Sequence, residues 1–524
     1  MESIYEYNYR QQKIARIDKI IAIIAMFMIS IIPLIMYRYD SMVYSPILSG
    51  NVYSTGNKVD IFNYYKSVIL NISSFLILGL LIYKTIALKD LIKSNKLNMI
   101  ILIFAAIILI TPLVSDYIDI SLLGNSDRHE GAIAWFSYLV VFYALCNIKI
   151  EKEQYKYFYW VLIPFIIVNL ITSLTNLYGY NLIDNRVVNN ILGKGLSGYL
   201  VTTLYHQNYG SAISAVIFSV SFTYLLLEKN TKIKIALVIT TVASFTMLLA
   251  MISSGGFVTA LIVLPIILVI GIRFRGIKET VLWTIPTVIL NAISYMILSK
   301  SNEKVYEESF KIIEKINDIS GAIIPVAIIG FILVVFIMKF INRKVVFNIA
   351  IGVVIVSMLI GGVALSNTIE NNKQVITENT IYQKLNEMST DRINIWIKTI
   401  DLINEKPILG QGLDTYPYVI SDKDEDRGIS TYGEFIDKPH NWYLSVAYGS
   451  GILGLSAFLA VLVYVLKGLF DKLSDKIDDK YIYIFGVGFI AYAVQGLSND
   501  SWVGTSIIFW VLAGVCANKL FREN

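Results

Sequence analysis

Polar chemistry in this chain gathers between Asp391 and Leu455, where Arg392, Trp396, Lys438, His440 and Asn441 stand in an otherwise apolar sequence. Arginine is permanently charged and offers paired N–H donors that fit phosphate oxygens, so Arg392 is a candidate clamp for a phosphorylated group. Histidine, with an ordinary pKa near ~6.5, is largely neutral at pH 7 and able to accept a proton, which makes His440 a candidate general base. Lys438, two positions away, favours that neutral form. Taken singly, each has a plainer reading: a solvated loop side chain for Arg392, a helix cap for His440.

These residues must be positioned by the elements around them. Apolar residues at Ile393, Ile397, Ile400 and Ile403 predict a helix opened by Ser389 or Thr390 and closed near Pro407 and Gly410. On that helix Arg392 and Trp396 lie one turn apart on one side. After an acidic loop, Asp437-Lys-Pro-His-Asn441 leads into an apolar run long enough to enter a membrane, so His440 sits at the mouth of a membrane helix.

Outside this stretch the chain reads as membrane helix. Of its 524 residues, 56% are hydrophobic and 16% charged, and the mean hydropathy is +0.62, far from the balance of a globular domain. The net charge of +5 does not suggest nucleic acid. Apolar stretches of the ~20 residues that cross a bilayer fall near 18–37, 67–86, 97–114, 132–148, 155–176, 209–227, 233–251, 255–272, 279–298, 319–340, 347–366, 442–466, 481–497 and 501–518. The fold class expected is all-α, a polytopic integral membrane protein of about 14 transmembrane helices. Residues 1–366 hold about 11 spans, 367–440 form one long extracytoplasmic loop containing helices and the catalytic motifs, and 441–524 hold about 3 spans. The first span reads as retained and not as a cleaved signal.

Lysine and arginine concentrate in the short segments that alternate counting puts on one side, such as Lys89, Lys93 and Lys96, or Arg273, Arg275 and Lys278. The positive-inside rule makes that side cytoplasmic, with both termini, and turns the His440 loop outward. Cys146 and Cys516 then face a reducing compartment and are expected to remain unpaired. The segment 299–318 predicts a short surface helix on the outer side. With sides assigned, the polar candidates converge on the outer face. They are Asp127-Arg128-His129-Glu130, Arg186 and Lys194, His206-Gln207-Asn208, Arg392, His440, and the turn from Gln495 to Asp500.

Taken together, Arg392-x-x-x-Trp396, Lys406-Pro-Ile-Leu-Gly-Gln-Gly412, Asp437-Lys-Pro-His-Asn-Trp-Tyr-Leu444 and Gly451-Ile-Leu-Gly-Leu455 resemble the signature of the O-antigen ligase and polymerase superfamily of membrane glycosyltransferases. The resemblance implies a GT-C-like enzyme of the bacterial cytoplasmic membrane. Such an enzyme takes a glycan from an undecaprenyl-pyrophosphate carrier and joins it to a glycan or other surface acceptor at the outer face. It also implies that His440 is catalytic and that arginines bind the pyrophosphate, carried over here to Arg392, with Arg128 and Arg186 as further candidates. Glu130, His206, Asn208, Trp396, Lys438 and Asn441 would line the substrate groove. Trp396 and Trp442 suit stacking on sugars, with interfacial anchoring the preferred reading. The chain departs from the family where many relatives have Ser-Arg-Gly and this one has Ser254-Gly255-Gly256, and where Asp391 replaces a small residue.

A single inverting displacement needs neither cofactor nor metal, and Asp422-Lys-Asp424-Glu-Asp426 reads as a solvated acidic run. Polymerisation is preferred over ligation because nothing marks a lipid A or protein acceptor. The alternative is a flippase for lipid-linked oligosaccharide, which would place charges along the middles of its spans, where this chain has almost none.

Overall fold

The computed structural model describes residues 4–45, 55–92, 95–180, 182–183, 202–307, 386, 391–422, 428–430 and 435–522. Helices α1 (Ile4–Ile31), α2 (Tyr64–Ile86), α3 (Lys96–Val114), α4 (Ile118–Leu123), α5 (Ala132–Asn147), α6 (Tyr155–Trp160) and α7 (Ile163–Leu177) come first. They are followed by α8 (Gln207–Leu227), α9 (Thr231–Ala250), α10 (Ser254–Ser301), α11 (Arg392–Glu405), α12 (Tyr416–Asp422), α13 (Trp442–Ser474), α14 (Lys480–Gln495) and α15 (Val503–Phe521). Among the described residues, 9 helical stretches are long and apolar enough to cross a membrane. Each expected span has a described helix except 319–340 and 347–366, which lie outside the described residues. The spans near 255–272 and 279–298 share α10, broken at Gly276 (φ 80°, ψ 164°). Many long apolar helices make this an integral membrane protein.

At the centre stands α8, buried along its whole length and packed by α9, α10 and α14, while α5 is packed by α15 and α2. Lipid supplies little hydrophobic drive between helices, so close approach through small residues has to hold them. Ser211 shows how: its hydroxyl donates to the Ser253 carbonyl at 3.0 Å and accepts from the Gly256 N–H at 3.2 Å. A Cβ on Gly256 would collide with it, so the turn joining α9 to α10 has no room for a larger residue there.

One departure from an all-helical chain is a hairpin of β1 (Tyr39–Val43) and β2 (Gly56–Asp60), antiparallel with Tyr39 opposite Asp60. The carboxylate of Asp60 accepts from the backbone N–H groups of Phe62 and Asn63, each at 2.9 Å, and so anchors the hairpin to the start of α2.

The two ends of the bundle differ. Segments expected to be cytoplasmic meet in ion pairs at one end, including Lys84–Asp18 at 2.6 Å, Lys480–Glu228 at 2.5 Å and Lys519–Asp479 at 3.0 Å. Arg275 donates to the Leu227 carbonyl at 2.6 Å, closing the C-terminus of α8. Cys146 and Cys516 are free thiols. At the other end α11 and α12 form a small core of their own, with Ile395, Leu402, Tyr416, Ile420 and Ile436 gathered on Tyr448 of α13.

Candidate active site

Two of the glycine-bearing motifs recognise each other. Helix α13 breaks at Gly451 (φ 64°, ψ −170°), and the freed backbone groups pair with the segment that follows α11. Gln411 N–H donates to the Tyr448 carbonyl at 2.8 Å, Gly412 N–H to Gly449 at 3.1 Å, and Ile452 N–H to Pro407 at 2.8 Å. A Cβ on Gly451 would strike the Ile408 carbonyl, and one on Gly410 would meet the Tyr448 carbonyl at 2.5 Å. Two backbones this close exclude side chains from both, and the Lys406–Gly412 loop is thereby locked onto the helix that His440 precedes.

Helix α11 buries Ile395, Thr399 and Leu402, leaving Ile393, Ile397 and Ile400 half-buried, so the covered stripe is offset from the isoleucine pattern. Its N-cap is Asp391, in place of Ser389 or Thr390. Asp391 takes a left-handed conformation (φ 66°), and its Oδ1 accepts from Asn386 Nδ2 at 2.8 Å. Aspartate tolerates that conformation better than most residues, which accounts for it at this position. From the next residue Arg392 projects half-buried. Among the described residues it has no hydrogen bond or ion pair, and burial lowers its pKa against the pull of Asp500 and Tyr209.

One turn along, Trp396 Nε1 donates to the Pro439 carbonyl at 3.0 Å, tying α11 to the loop that carries His440. His440 has φ 53° and keeps 30% of its side chain open. Its pKa is pushed down to about 4, first by burial and then by the charge of Lys438. Four ångströms away, at 4.0 Å from Nδ1, lies Oδ2 of Asp500, whose side chain is fully buried. Among the described residues that oxygen has no hydrogen-bond partner, while Oδ1 accepts from Ser445. Burial and Lys438 both favour the neutral ring, which is reachable and has a carboxyl oxygen behind it, an arrangement able to orient a base. Lys438 donates to Tyr209 at 2.5 Å and lies over Trp502 at 5.2 Å. Asp437 stands 3.5 Å from it and holds its charge in place, its pKa being raised despite burial.

Arg128 sits in a second, closed cluster. It is 8% exposed, donates through Nη2 to the Ser501 carbonyl at 2.9 Å, and lies 3.3 Å from Asp414 and 3.5 Å from Glu130. Burial works against its charge, but Asp414, Tyr209, Asp500 and Glu130 together outweigh that and raise its pKa. Burial raises Glu130 to about 7 and Asp414 to about 6. Asp414 also accepts from the N–H of Asn125 at 2.8 Å and of Glu130 at 3.2 Å, which joins the loop before α5 to the loop after α11.

Placement of the other expected residues is more structural. His206 caps α8, its Nδ1 accepting from the Asn208 N–H at 3.1 Å, and burial followed by Lys438 pushes its pKa down to about 3. Asn208 accepts from Ser253 at 2.9 Å. Asn441 caps α13, accepting from Leu444 N–H at 3.1 Å and donating to the Leu497 carbonyl at 3.1 Å. Trp442 corrects the expectation: it is 0% exposed and wedged among Phe458, Tyr492 and Phe509, so it neither anchors at an interface nor reaches a sugar. Arg186, Lys194, Asp424 and Asp426 lie outside the described residues. Sequence reading passed over Asp414, Tyr209 and Trp502. The Gly-Gln-Gly-Leu-Asp spacing before Asp414 was the one available signal, and it becomes meaningful only once the loop is seen folded back.

The fold defines a polytopic membrane protein, and residues 316–459 of it match the family model described as O-antigen ligase. The matched segment carries Arg392, Trp396, Lys438 and His440. Over 134 residues, 25% of its length, the chain is 29% identical to a Rickettsia conorii protein described as a candidate polysaccharide ligase. That stretch spans 31% of the relative's own length.

Proposed function

We propose that this chain is a membrane glycosyltransferase that moves a glycan from undecaprenyl pyrophosphate to an acceptor hydroxyl, at the outer face of a bacterial cytoplasmic membrane with both termini inside. The observation that carries the reading is a half-buried Arg392, unpaired among the described residues, whose charge acts on a His440 backed by Asp500. The acceptor oxygen attacks the anomeric carbon and inverts it, His440 takes the hydroxyl proton, and the pyrophosphate leaves with its charge matched by Arg392. Approach of that anion raises the affinity of His440 for the proton, while Asp500 supports the imidazolium that forms.

Arg128 already faces Asp414 and Glu130, so we assign it to positioning the Ser501 and Asp500 turn, with any direct hold on pyrophosphate secondary. Where many relatives carry arginine, a Cβ on Gly255 would point at Ser498 and Asn499, 3.4 and 3.8 Å away, beside the same turn. Arg128 and Arg186 are the expected substitutes for that charge, and Lys438, close to Tyr209 and Trp502, is a further one.

The test is a mass-spectrometric profile of carrier-linked glycans in a host lacking this gene and complemented with wild type or His440→Ala. Wild type clears stalled units exposed outside, and His440→Ala leaves them while inserting normally. Near-wild-type clearance by His440→Ala would remove that residue from the mechanism, and units stalled only in the inner leaflet would indicate a flippase. Lengthening of glycan on the carrier marks a polymerase; loss of the carrier from the product marks a ligase.

A further inference from the structure

Apart from Arg392 and His440, tyrosines gather where the β1–β2 hairpin meets the first turn of α2. Tyr39 stacks flat on Tyr64, Tyr37 meets Tyr65 edge-on at 5.2 Å, and Tyr64 meets Tyr65 edge-on at 5.1 Å. Tyr37 is 67% exposed, and beside it Arg38 and Asp40 form a two-pronged pair at 2.8 and 2.7 Å on the outer edge of the strand. The base of the hairpin is fixed through Asp60, which lies 3.6 Å from His129 Nε2. His129 faces the Tyr64 ring at 5.2 Å, and its carbonyl accepts from Ser67 at 2.9 Å. It stands between Arg128 and Glu130 in the chain, so the tyrosines border the cluster that holds Ser501 and Asp500.

We propose that this tyrosine surface is a carbohydrate subsite that holds the acceptor glycan while its end reaches His440. The proposal rests on the glycosyltransferase reading above. Sugar rings present apolar C–H faces that pack on electron-rich aromatic faces, and hydroxyls that flanking charged groups can bond, which is the mixture the hairpin offers. Tyrosines held by their neighbours and by an anchored turn lose little freedom on binding. The acceptor is favoured over the donor by connectivity. A line of neighbours runs from the base that serves the acceptor hydroxyl, His440, through Asp500, Ser501, Arg128 and His129 to Tyr64. Arg392, the donor's anion clamp, is joined to none of them by a hydrogen bond or ion pair among the described residues.

In the experiment, wild type and Tyr37→Ala/Tyr65→Ala in nanodiscs are titrated with oligosaccharides released by mild acid from the host's own envelope polysaccharide, with dextran as a control. Binding is read by saturation-transfer NMR, and the same oligosaccharides then serve as acceptors for transfer. The double alanine variant should bind roughly tenfold more weakly and show acceptor KM raised by the same factor with the loss absent from kcat. Tyr37→Phe/Tyr65→Phe, which keeps both ring faces, should bind like wild type. Unchanged binding and KM in the alanine variant, or no binding by wild type, overturns the proposal. Normal binding with poor membrane insertion, the behaviour of interfacial anchors, overturns it as well. Binding is measured without turnover, so loss of the glycosyltransferase reading would show separately, as wild type that binds glycan and transfers none.

Discussion

Asp500→Asn isolates the anion behind the base. Asparagine keeps the size of the side chain and an oxygen to accept from Ser445, so the turn stays packed and only the charge beside His440 is removed. At the 4.0 Å separation seen here, a unit charge pair in partly screened surroundings is worth about 4 kcal/mol. The 30% of His440 that remains open brings this down toward ~2 kcal/mol. That interaction exists only once His440 has taken its proton, so it acts on the transition state and appears in kcat as a loss of roughly 30- to 1000-fold. The assay is transfer by purified protein in proteoliposomes, using carrier-linked glycan extracted from the deletion host, with melting temperature as the folding control. Activity within about threefold of wild type, with His440→Ala inactive in parallel, would refute the view that Asp500 supports the base.

Lys438→Met bears on pH. Catalysis needs neutral His440, so activity falls on the acid side as pH drops through its pKa of about 4. Removing the neighbouring positive charge raises that pKa, and the acid limb of kcat/KM should move up toward the ordinary ~6.5 without reaching it, because burial remains the larger cause. An unmoved limb would mean that Lys438 does not set the base. Gly451→Ala should destabilise the fold by about 3 kcal/mol, from a backbone conformation that side chains rarely adopt together with the collision at the Ile408 carbonyl. An unchanged Tm in detergent would show that the loop and the broken helix are not held as described.

Hydropathy alone placed an apolar run on each of the long described helices, because a bilayer demands about 20 apolar residues per crossing and every backbone group satisfied within the helix, although α1 begins well before the expected 18–37 and α13 runs past the expected 442–466. Counting basic residues on alternate sides grouped the polar candidates at one end, where the charge of Arg392 is felt at His440. What the linear order did not reveal was how those candidates divide. Arg128 and Arg392 look alike as residue types, yet one is enclosed by two carboxylates and the other is unpaired among the described residues, and that difference arises from loops almost 300 positions apart folding together at Asp414. Likewise the glycines of two motifs have no visible purpose until the α13 break and the Lys406–Gly412 loop share a backbone ladder. The aromatic residues at the membrane mouth were equally ambiguous: Trp442 went to the core, Trp396 to a backbone carbonyl, and Tyr37 to the surface. Local sequence determined which segments are helical and which end is polar, since both follow from each segment's own exchange between water and lipid. Pairing, burial and charge balance at the site were decided by tertiary structure, because each depends on a partner that is distant in the chain.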